Sequence, residues 1–461
     1  MADVLLGADL GTSGLKLVAL DSAGGVVAEA ERAYGYDRPA PGRAESDVRT
    51  WHAALDAAVA AVVPRLAGTR VRALGIAGQM HGAVLVDGSG AALRPALLWP
   101  DQRGEPHLAR WRDLAAGDRA ALGNPLAAGM TGPLLAWLAR HEPEALRRAS
   151  AVLLPKDALR ATLLPGTDPA VTDRSDASAT LLWDVVADDW SAAAVAAADA
   201  DPALLPVVRP SEEVVGSARL PVGEVPVVVG GADTPLALLA SGANTGAQIN
   251  LGSGAQLLRP GRRPAPSVDP VVHTYADTTG GWYAMAALQN GGSAWEWACG
   301  VLGLSWAEFV DAAASVPAGA GGVVFRPFLT GERGTVAGPD DRGGWIGLSA
   351  GTTRADLARA AVEGVVFAVR TAFELLDAAD REPVLLTGGG ARSGVVVQLL
   401  ADVLERPVRP LGLRSASAVG AALLAGRGVG MDVHPERDAG PLVEPRPARG
   451  LADAAARWTG A

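Results

Sequence analysis

An apolar run, Leu5-Leu6-Gly7-Ala8, ends at Asp9; a Gly11-Thr12-Ser13-Gly14 turn follows, and Leu15-Lys16-Leu17-Val18-Ala19-Leu20 alternates around an outward Lys16. This pattern predicts a β-hairpin. Behind Glu45-Ser46-Asp47, the residues Val48, Trp51, Leu55, Val59, Val62 and Leu66 recur at helical spacing and predict a core-facing helix. Val71 to Ala77 reads as a buried strand running into Gly78-Gln79-Met80-His81-Gly82, with further strands at Val84 to Asp87 and Ala96 to Trp99. Residues 106 to 160 read as largely helical, including Thr131 to Arg140 and a segment from Pro155. Thr172 to Ser178 reads as a polar loop that either lends side chains to a cleft or caps the next helix, and Ala192 to Ala200 as an Ala-rich surface helix.

The same vocabulary returns later. Val225 to Val229 is a short β-branched strand stopping at Gly230-Gly231, with Asp233 at its tip and a helix from Pro235. Gln248-Ile249-Asn250-Leu251-Gly252-Ser253-Gly254-Ala255-Gln256-Leu257-Leu258 repeats the plan of the opening hairpin about 240 residues on, with Asn250 in the place of Asp9. Such internal similarity predicts a duplicated domain, divided as 1–242 and 243–461. A long helix is predicted from Arg354 to Ala379, a buried strand at Val384 to Thr387 opening into Gly388-Gly389-Gly390, and a closing helix at Ala416 to Leu424. The Pro/Arg-rich tail after Pro435 reads as peripheral.

Composition narrows the chemistry. The 461 residues are 49% hydrophobic and 20% charged, a globular balance with room for two domains. With a net charge of −10 and no Lys/Arg block, nucleic acid and anionic membranes are not expected as partners. Without a basic N-terminal region or an apolar segment near the roughly 20 residues that span a bilayer, the chain reads as cytoplasmic. Cys299 is the single cysteine, which excludes an intrachain disulfide and a cysteine zinc cluster and reads as a small core residue. Only Lys16 and Lys156 are lysines; a compact ammonium near phosphate suits Lys16, whereas chance suffices for Lys156.

Each strand-to-glycine turn is a candidate site. The small residues Gly11, Thr12 and Ser13 let backbone N–H groups form a nest for phosphate oxygens, and a carboxylate at Asp9 facing that phosphate calls for a cation between them, most naturally hydrated Mg²⁺. Gln79, Met80 and His81 between two glycines suggest a pocket for a polyhydroxylated molecule, with a structural histidine as the alternative. Asp101 and Arg103 form either a surface pair or a rim of that pocket. Asp233 is placed to accept a proton from a hydroxyl, or to cap its helix, or both. Gly388 to Ser393 suits a planar or phosphorylated ligand against the backbone. No Gly-Lys pair exists, which excludes a P-loop, and no strict Gly-Xaa-Gly-Xaa-Xaa-Gly occurs.

Taken in order, Asp9-Leu10-Gly11-Thr12-Ser13, Gly78-Gln79-Met80-His81-Gly82, Gly230-Gly231-Ala232-Asp233, Leu251-Gly252-Ser253, Gly331-Glu332-Arg333 and Gly388 to Ser393 resemble the FGGY carbohydrate kinases, the Gln-Met-His-Gly segment being most similar to the xylulokinase branch. The resemblance implies an α/β architecture of two ribonuclease H-like domains, of the actin/hexokinase superfamily, around a central cleft. It implies an ATP-dependent sugar kinase making D-xylulose 5-phosphate from D-xylulose, with sugar mainly on the first domain and ATP on the second. By the same resemblance, Asp233 is the general base, Gln79, Met80, His81, Asp101 and Thr234 attend the sugar, and Asp9 with Asp233 holds Mg²⁺ through water. Gly11, Thr12, Ser13, Lys16, Gly252 and Ser253 attend the phosphates, and Gly388, Gly389, Gly390, Arg392 and Ser393 the adenosine. Homodimers are common among similar kinases, although no stretch here marks an interface.

Five positions depart from the family pattern: Thr234 stands where Asn follows the catalytic Asp, Pro100 where Asn precedes Asp101, Gly334 and Thr335 where Thr-Pro follows Glu332-Arg333, and Leu134 where a lysine stands three residues before Trp137. These bear on the substrate more than on the reaction. They keep open a kinase for another ketose or a polyol, and a sugar-sensing protein that binds ATP without transferring phosphate is the reading from another class.

Overall fold

The computed structural model describes residues 1–243, 245–332, 334, 336–377, 382–448 and 450–460. Strand Ala2–Leu10 pairs antiparallel with Gly14–Asp21 and parallel with Thr69–Gly78, forming the middle of a seven-stranded sheet. Val26–Ala33 lies outside Gly14–Asp21, while Gly223–Val228 and Val214–Leu220 extend the other side. The second half builds another seven-stranded sheet on the same plan: Gln248–Leu251 pairs antiparallel with Ala255–Pro260 and parallel with Val384–Thr387, which is followed by Val408–Gly412. The repeated hairpin thus marks two ribonuclease H-like sheets, as expected.

The hairpins are not identical. Leu10 pairs with Leu15 but Leu251 with Ala255, so the second turn is one residue shorter. The register is nevertheless kept, with Asp9 opposite Lys16 and Asn250 opposite Gln256.

Helix Val48–Val62 buries the predicted face and is capped by Asp47, whose carboxylate accepts from the Arg49 N–H at 2.8 Å. The segment 106–160 contains the helices Ala109–Arg112, Ala116–Ala121, Thr131–His141, Pro143–Arg148 and Pro155–Leu163. Helix Arg354–Glu374 ends before the predicted Ala379, which lies outside the described residues.

The closing helix Ala416–Gly428 crosses back to the first sheet, filling one face with Ala418, Ala421, Ala422 and Leu424 against Leu5, Val18, Ala73 and Leu236. Backbones touch there: a Cβ on Gly7 would stand 1.9 Å from the Ala418 carbonyl oxygen, and one on Gly420 1.9 Å from that of Leu236. Two expectations need correction. The tail is not peripheral, because Leu451, Ala454, Ala455 and Trp458 form a helical stripe buried in the second core, with Trp458 Nε1 donating to the Phe325 carbonyl at 2.9 Å. Cys299 is only partly buried. Among the described residues, no helix is long and apolar enough to cross a membrane.

Candidate active site

The site assembles where neighbouring parallel strands end, because strand C-termini leave their last side chains and backbone groups facing the crevice. Asp9 pairs in register with Ala77, and Gly231 flanks Ala77 on its other side, so the first hairpin, Gly78-Gln79 and Ala232-Asp233 share one edge. Asp233 is the first residue of helix Asp233–Ser241, with Ala232 at the cap position, and Thr234 Oγ1 donates to its Oδ1 at 3.1 Å. Burial pushes the Asp233 carboxyl up to about 6, against the hydrogen bonds of Thr234. Burial also raises the Asp9 carboxyl to about 7; the charge of Asp233 adds to this and that of Lys16 opposes it. Two half-buried carboxyls, of which Asp9 feels the charge of Asp233, suit a divalent cation. No group of three or more His, Cys, Asp or Glu residues among those described forms a protein cage, so an ion held here would keep much of its water.

The Gln79 side chain is taken up by the first turn. Its Oε1 accepts from Thr12 Oγ1 at 3.0 Å, its Nε2 donates to the Gly11 carbonyl at 3.4 Å, and Trp99 Nε1 donates to Thr12 Oγ1 at 2.8 Å. Met80 is buried against Tyr283, whose hydroxyl lies 3.9 Å from Sδ. His81 occupies the left-handed region at φ 67°, a strained conformation for a residue with a Cβ that surrounding contacts must hold. Its Nδ1 lies 2.6 Å from the Ala179 carbonyl, which can only accept, so this nitrogen carries the proton.

Asp101 sits in the interior. It is fully buried, receives two hydrogen bonds from Arg103 Nε and one from Nη2, and accepts from the Ala44 N–H at 2.7 Å. Arg103 in turn meets Glu45 at 2.7 Å and lies over the Trp137 ring. Of the two readings left open by the sequence, the observed one is a pair, but a buried one.

On the second domain, a Cβ at Gly252 or at Gly389 would meet nothing within 4 Å, so both glycines face open space. Gly388 has φ 86°, and a Cβ there would stand 2.6 Å from the Leu251 carbonyl; only glycine fits this crossing. Gly389–Arg392 forms one 3₁₀ turn, and Ser393 caps helix Gly394–Leu404 by accepting from the Val396 N–H. Lys16, Glu29, Glu31, Arg392, Arg414 and Ser415 line a cavity of about 360 Å³ between the first hairpin and this turn. Ser13 stays exposed at the tip of the first turn, while Ser253 is anchored through its carbonyl, which accepts from Ser293 Oγ at 2.9 Å. Glu332 is buried, its carboxylate accepting from the N–H groups of Gln289 and Asn290; Arg333 and Thr335 lie outside the described residues.

The sequence missed the support behind Asp233. Residues 172–178 are not a loop: they give strand Val171–Asp173 and helix Arg174–Ala177, capped by Asp173, and pack almost wholly inside. Lys156, ascribed to chance, is completely buried beside Asp157 at 2.6 Å and Asp173 and Asp176 at 3.1 Å each. Burial alone would lower its ammonium, but these three carboxylates carry it above the ordinary lysine range. The available signal was its rarity: one of two lysines in a chain that writes its other cations as arginine.

Two ribonuclease H-like sheets with a carboxylate pair and glycine turns at their strand ends fit an ATP-dependent sugar kinase, the class that the family match shows. The chain belongs to the FGGY family of carbohydrate kinases, whose N-terminal domain matches residues 4–240 and whose C-terminal domain matches residues 247–429. It is 35% identical over 446 residues to the xylulose kinase of Escherichia coli K12, covering 94% of this chain and 90% of that one. It is 36% identical over 436 residues to the xylulose kinase of Streptomyces coelicolor, covering 92% and 87%. The crystal structure of xylulose kinase from Rhodospirillum rubrum superposes with a TM-score of 0.90 at 28% identity, over 99% of this chain and 98% of that one. A gluconate kinase structure from Lactobacillus acidophilus also reaches 0.90, at 21% identity over 100% and 96%, which speaks for the fold alone.

Proposed function

We propose that the chain transfers the γ-phosphoryl group of ATP to the terminal hydroxyl of D-xylulose, releasing ADP and D-xylulose 5-phosphate. The observation that carries the reaction is the Asp9 and Asp233 pair at strand ends on either side of strand Thr69–Gly78, with a carboxyl near 6 at Asp233. A base with that value is ionised at neutral pH yet accepts a proton more readily than an ordinary aspartate. Asp233 takes the hydroxyl proton as the sugar oxygen bonds to phosphorus and the bond to ADP breaks. Met80 and His81 form the sugar wall, and Lys16, Gly11, Thr12, Gly252 and Ser253 hold phosphate oxygens. Asp9 and Asp233 would hold Mg²⁺ through water, and the bound ion neutralises phosphate charge. Phosphoryl transfer asks the protein chiefly for alignment and charge stabilisation, which these groups supply. Asp101 acts at one remove, by fixing Arg103 and the Ala44 backbone.

The choice of D-xylulose is supported by xylulose kinases 34–36% identical over more than nine-tenths of the chain. One observation favours a second reading, a kinase for another ketose or a polyol: Thr234 turns its hydroxyl to Asp233, leaving it unlike an amide that reads sugar hydroxyls. The deciding experiment is ADP release with Mg²⁺ATP across ketopentoses, ketohexoses, pentitols and glycerol, against a no-sugar blank. A D-xylulose signal well above all others supports the first reading, and a stronger signal with another sugar replaces it. Asp233→Asn should abolish turnover while ATP still binds; turnover near the parent level would overturn the assignment of the base.

A further inference from the structure

Asp233 is presented by a segment, Val229-Gly230-Gly231-Ala232, that contains two glycines and so has little stiffness of its own. Besides the pairing of Gly231 and Ala232 with strand Thr69–Gly78, its backbone is held at three points. Arg160 Nη1 donates to the Val229 carbonyl at 2.6 Å, the Gly230 N–H donates to the Ser211 carbonyl at 3.0 Å, and the Ala232 N–H donates to Ser175 Oγ at 2.9 Å. Ser175 is itself fixed: its Oγ donates to Asp173 Oδ2 at 2.6 Å and its N–H to the same oxygen at 3.0 Å. Ser211 Oγ donates to that oxygen at 2.9 Å, while Lys156 Nζ stands 3.1 Å from Oδ1. All these side chains are buried, and Gly231 passes so close that a Cβ there would stand 3.2 Å from Ser175 Oγ and 2.4 Å from Thr278 Cγ2.

We propose that Ser175 and Asp173 are positioning residues for phosphoryl transfer, a hydrogen-bonded pair anchored on Lys156 that sets where the Asp233 carboxylate stands. The inference rests on the assignment of Asp233 as base. Asp173 accepts a hydrogen bond from the Ser175 hydroxyl, so Ser175 Oγ turns a lone pair to the Ala232 N–H, and that bond joins the pairing of Gly231 and Ala232 with Ala77 and Gly78 in fixing the peptide that precedes Asp233 by one residue. A charged acceptor strengthens this chain, and the low-dielectric surroundings raise the cost of breaking it. The groups facing Asp233 are Asp9 from the first hairpin, Thr234 from its own helix and Tyr283 from strand Trp282–Leu288, which also senses Asp176. None of these is altered by removing the Ser175 hydroxyl.

The test is Ser175→Ala with Ser211→Ala as comparison, because Ser211→Ala removes one hydrogen bond from the same Asp173 oxygen but leaves the Ala232 bond intact. For Ser175→Ala we expect kcat to fall by about tenfold, the rate equivalent of one buried hydrogen bond, with KM for ATP unchanged. The loss should fall on kcat rather than on KM for sugar or ATP. Ser211→Ala should keep the parental kcat. A folded Ser175→Ala enzyme with parental kcat overturns the proposal, whatever its melting temperature. Should Ser175→Ala fail to fold, Asp173→Asn takes its place: a lowered kcat with KM for ATP unchanged supports the proposal, and a kcat equal to that of Ser211→Ala overturns it. Failure of the base assignment is seen separately, as turnover persisting in Asp233→Asn.

Discussion

Asp9 lies directly opposite Lys16 across the first hairpin, at the register that pairs Asn250 with Gln256 in the second. The two hairpins share a backbone plan but not a charge, so only the first pairs an acid with a base at the strand end. Asp9→Asn keeps the shape and removes the charge. We expect kcat to fall by about 100-fold, roughly 3 kcal/mol of lost electrostatic stabilisation, and half-maximal rate to require more Mg²⁺. Steady-state rates across a Mg²⁺ titration check this, and a parental kcat would remove Asp9 from the mechanism.

The carboxyls of Asp9 and Asp233 have the opposite sign of linkage from a salt-bridged aspartate. Both are raised on folding, from an ordinary 3.8 to about 7 and about 6. The folded state therefore binds more protons than the unfolded chain above pH 4, and the stability contributed by their neutral forms is lost as pH rises through the folded values. Asp233→Asn and Asp9→Asn should melt higher than the parent at pH 8, with the difference vanishing below pH 4. Thermal melts of the apo enzymes across that range, showing no gain at pH 8, would contradict the raised values.

Asp101→Ala strands Arg103, a buried residue that among the described residues keeps Glu45 as its remaining ion-pair partner. Breaking a buried pair by removing one partner costs about 3–5 kcal/mol. Urea unfolding should report a loss of that size, with the Ala44 N–H also left without its acceptor.

Gly420→Ala and Gly252→Ala should separate packing from binding. At Gly420 the new methyl would stand 1.9 Å from the Leu236 carbonyl oxygen, so the closing helix must shift, at a cost of about 1–3 kcal/mol. At Gly252 it would meet nothing within 4 Å. Gly252→Ala should melt near the parent temperature while KM for ATP rises several-fold, as the methyl crowds a phosphate. An unchanged KM would place the phosphates elsewhere.

Much of this was legible along the chain because each clue was local. A small-residue turn between apolar runs defines a hairpin wherever it sits, and two such hairpins pointed to two sheets of one plan before any contact was known. Asp9, Gln79, Met80, His81 and Asp233 were singled out because each ends a strand at a glycine, and the fold brings those strand ends to one edge. Asp101 illustrates the limit. Its neighbour Arg103 was visible, but whether the pair faced solvent or core depended on Ala44, Glu45 and Trp137, residues up to about 60 positions away.

The sequence by itself determined the hairpins, the strand-to-glycine turns and the order of candidate groups, since hydrophobic period and turn chemistry act over a few residues. Only the tertiary structure decided that Lys156, Asp173 and Ser175 stand behind Asp233, that helix Ala416–Gly428 returns to the first sheet, and that Trp458 belongs to the core. Those outcomes depend on which surfaces exclude water from one another. A buried charge is stable only where its partners arrive, and nothing within a short window of sequence states where that will be.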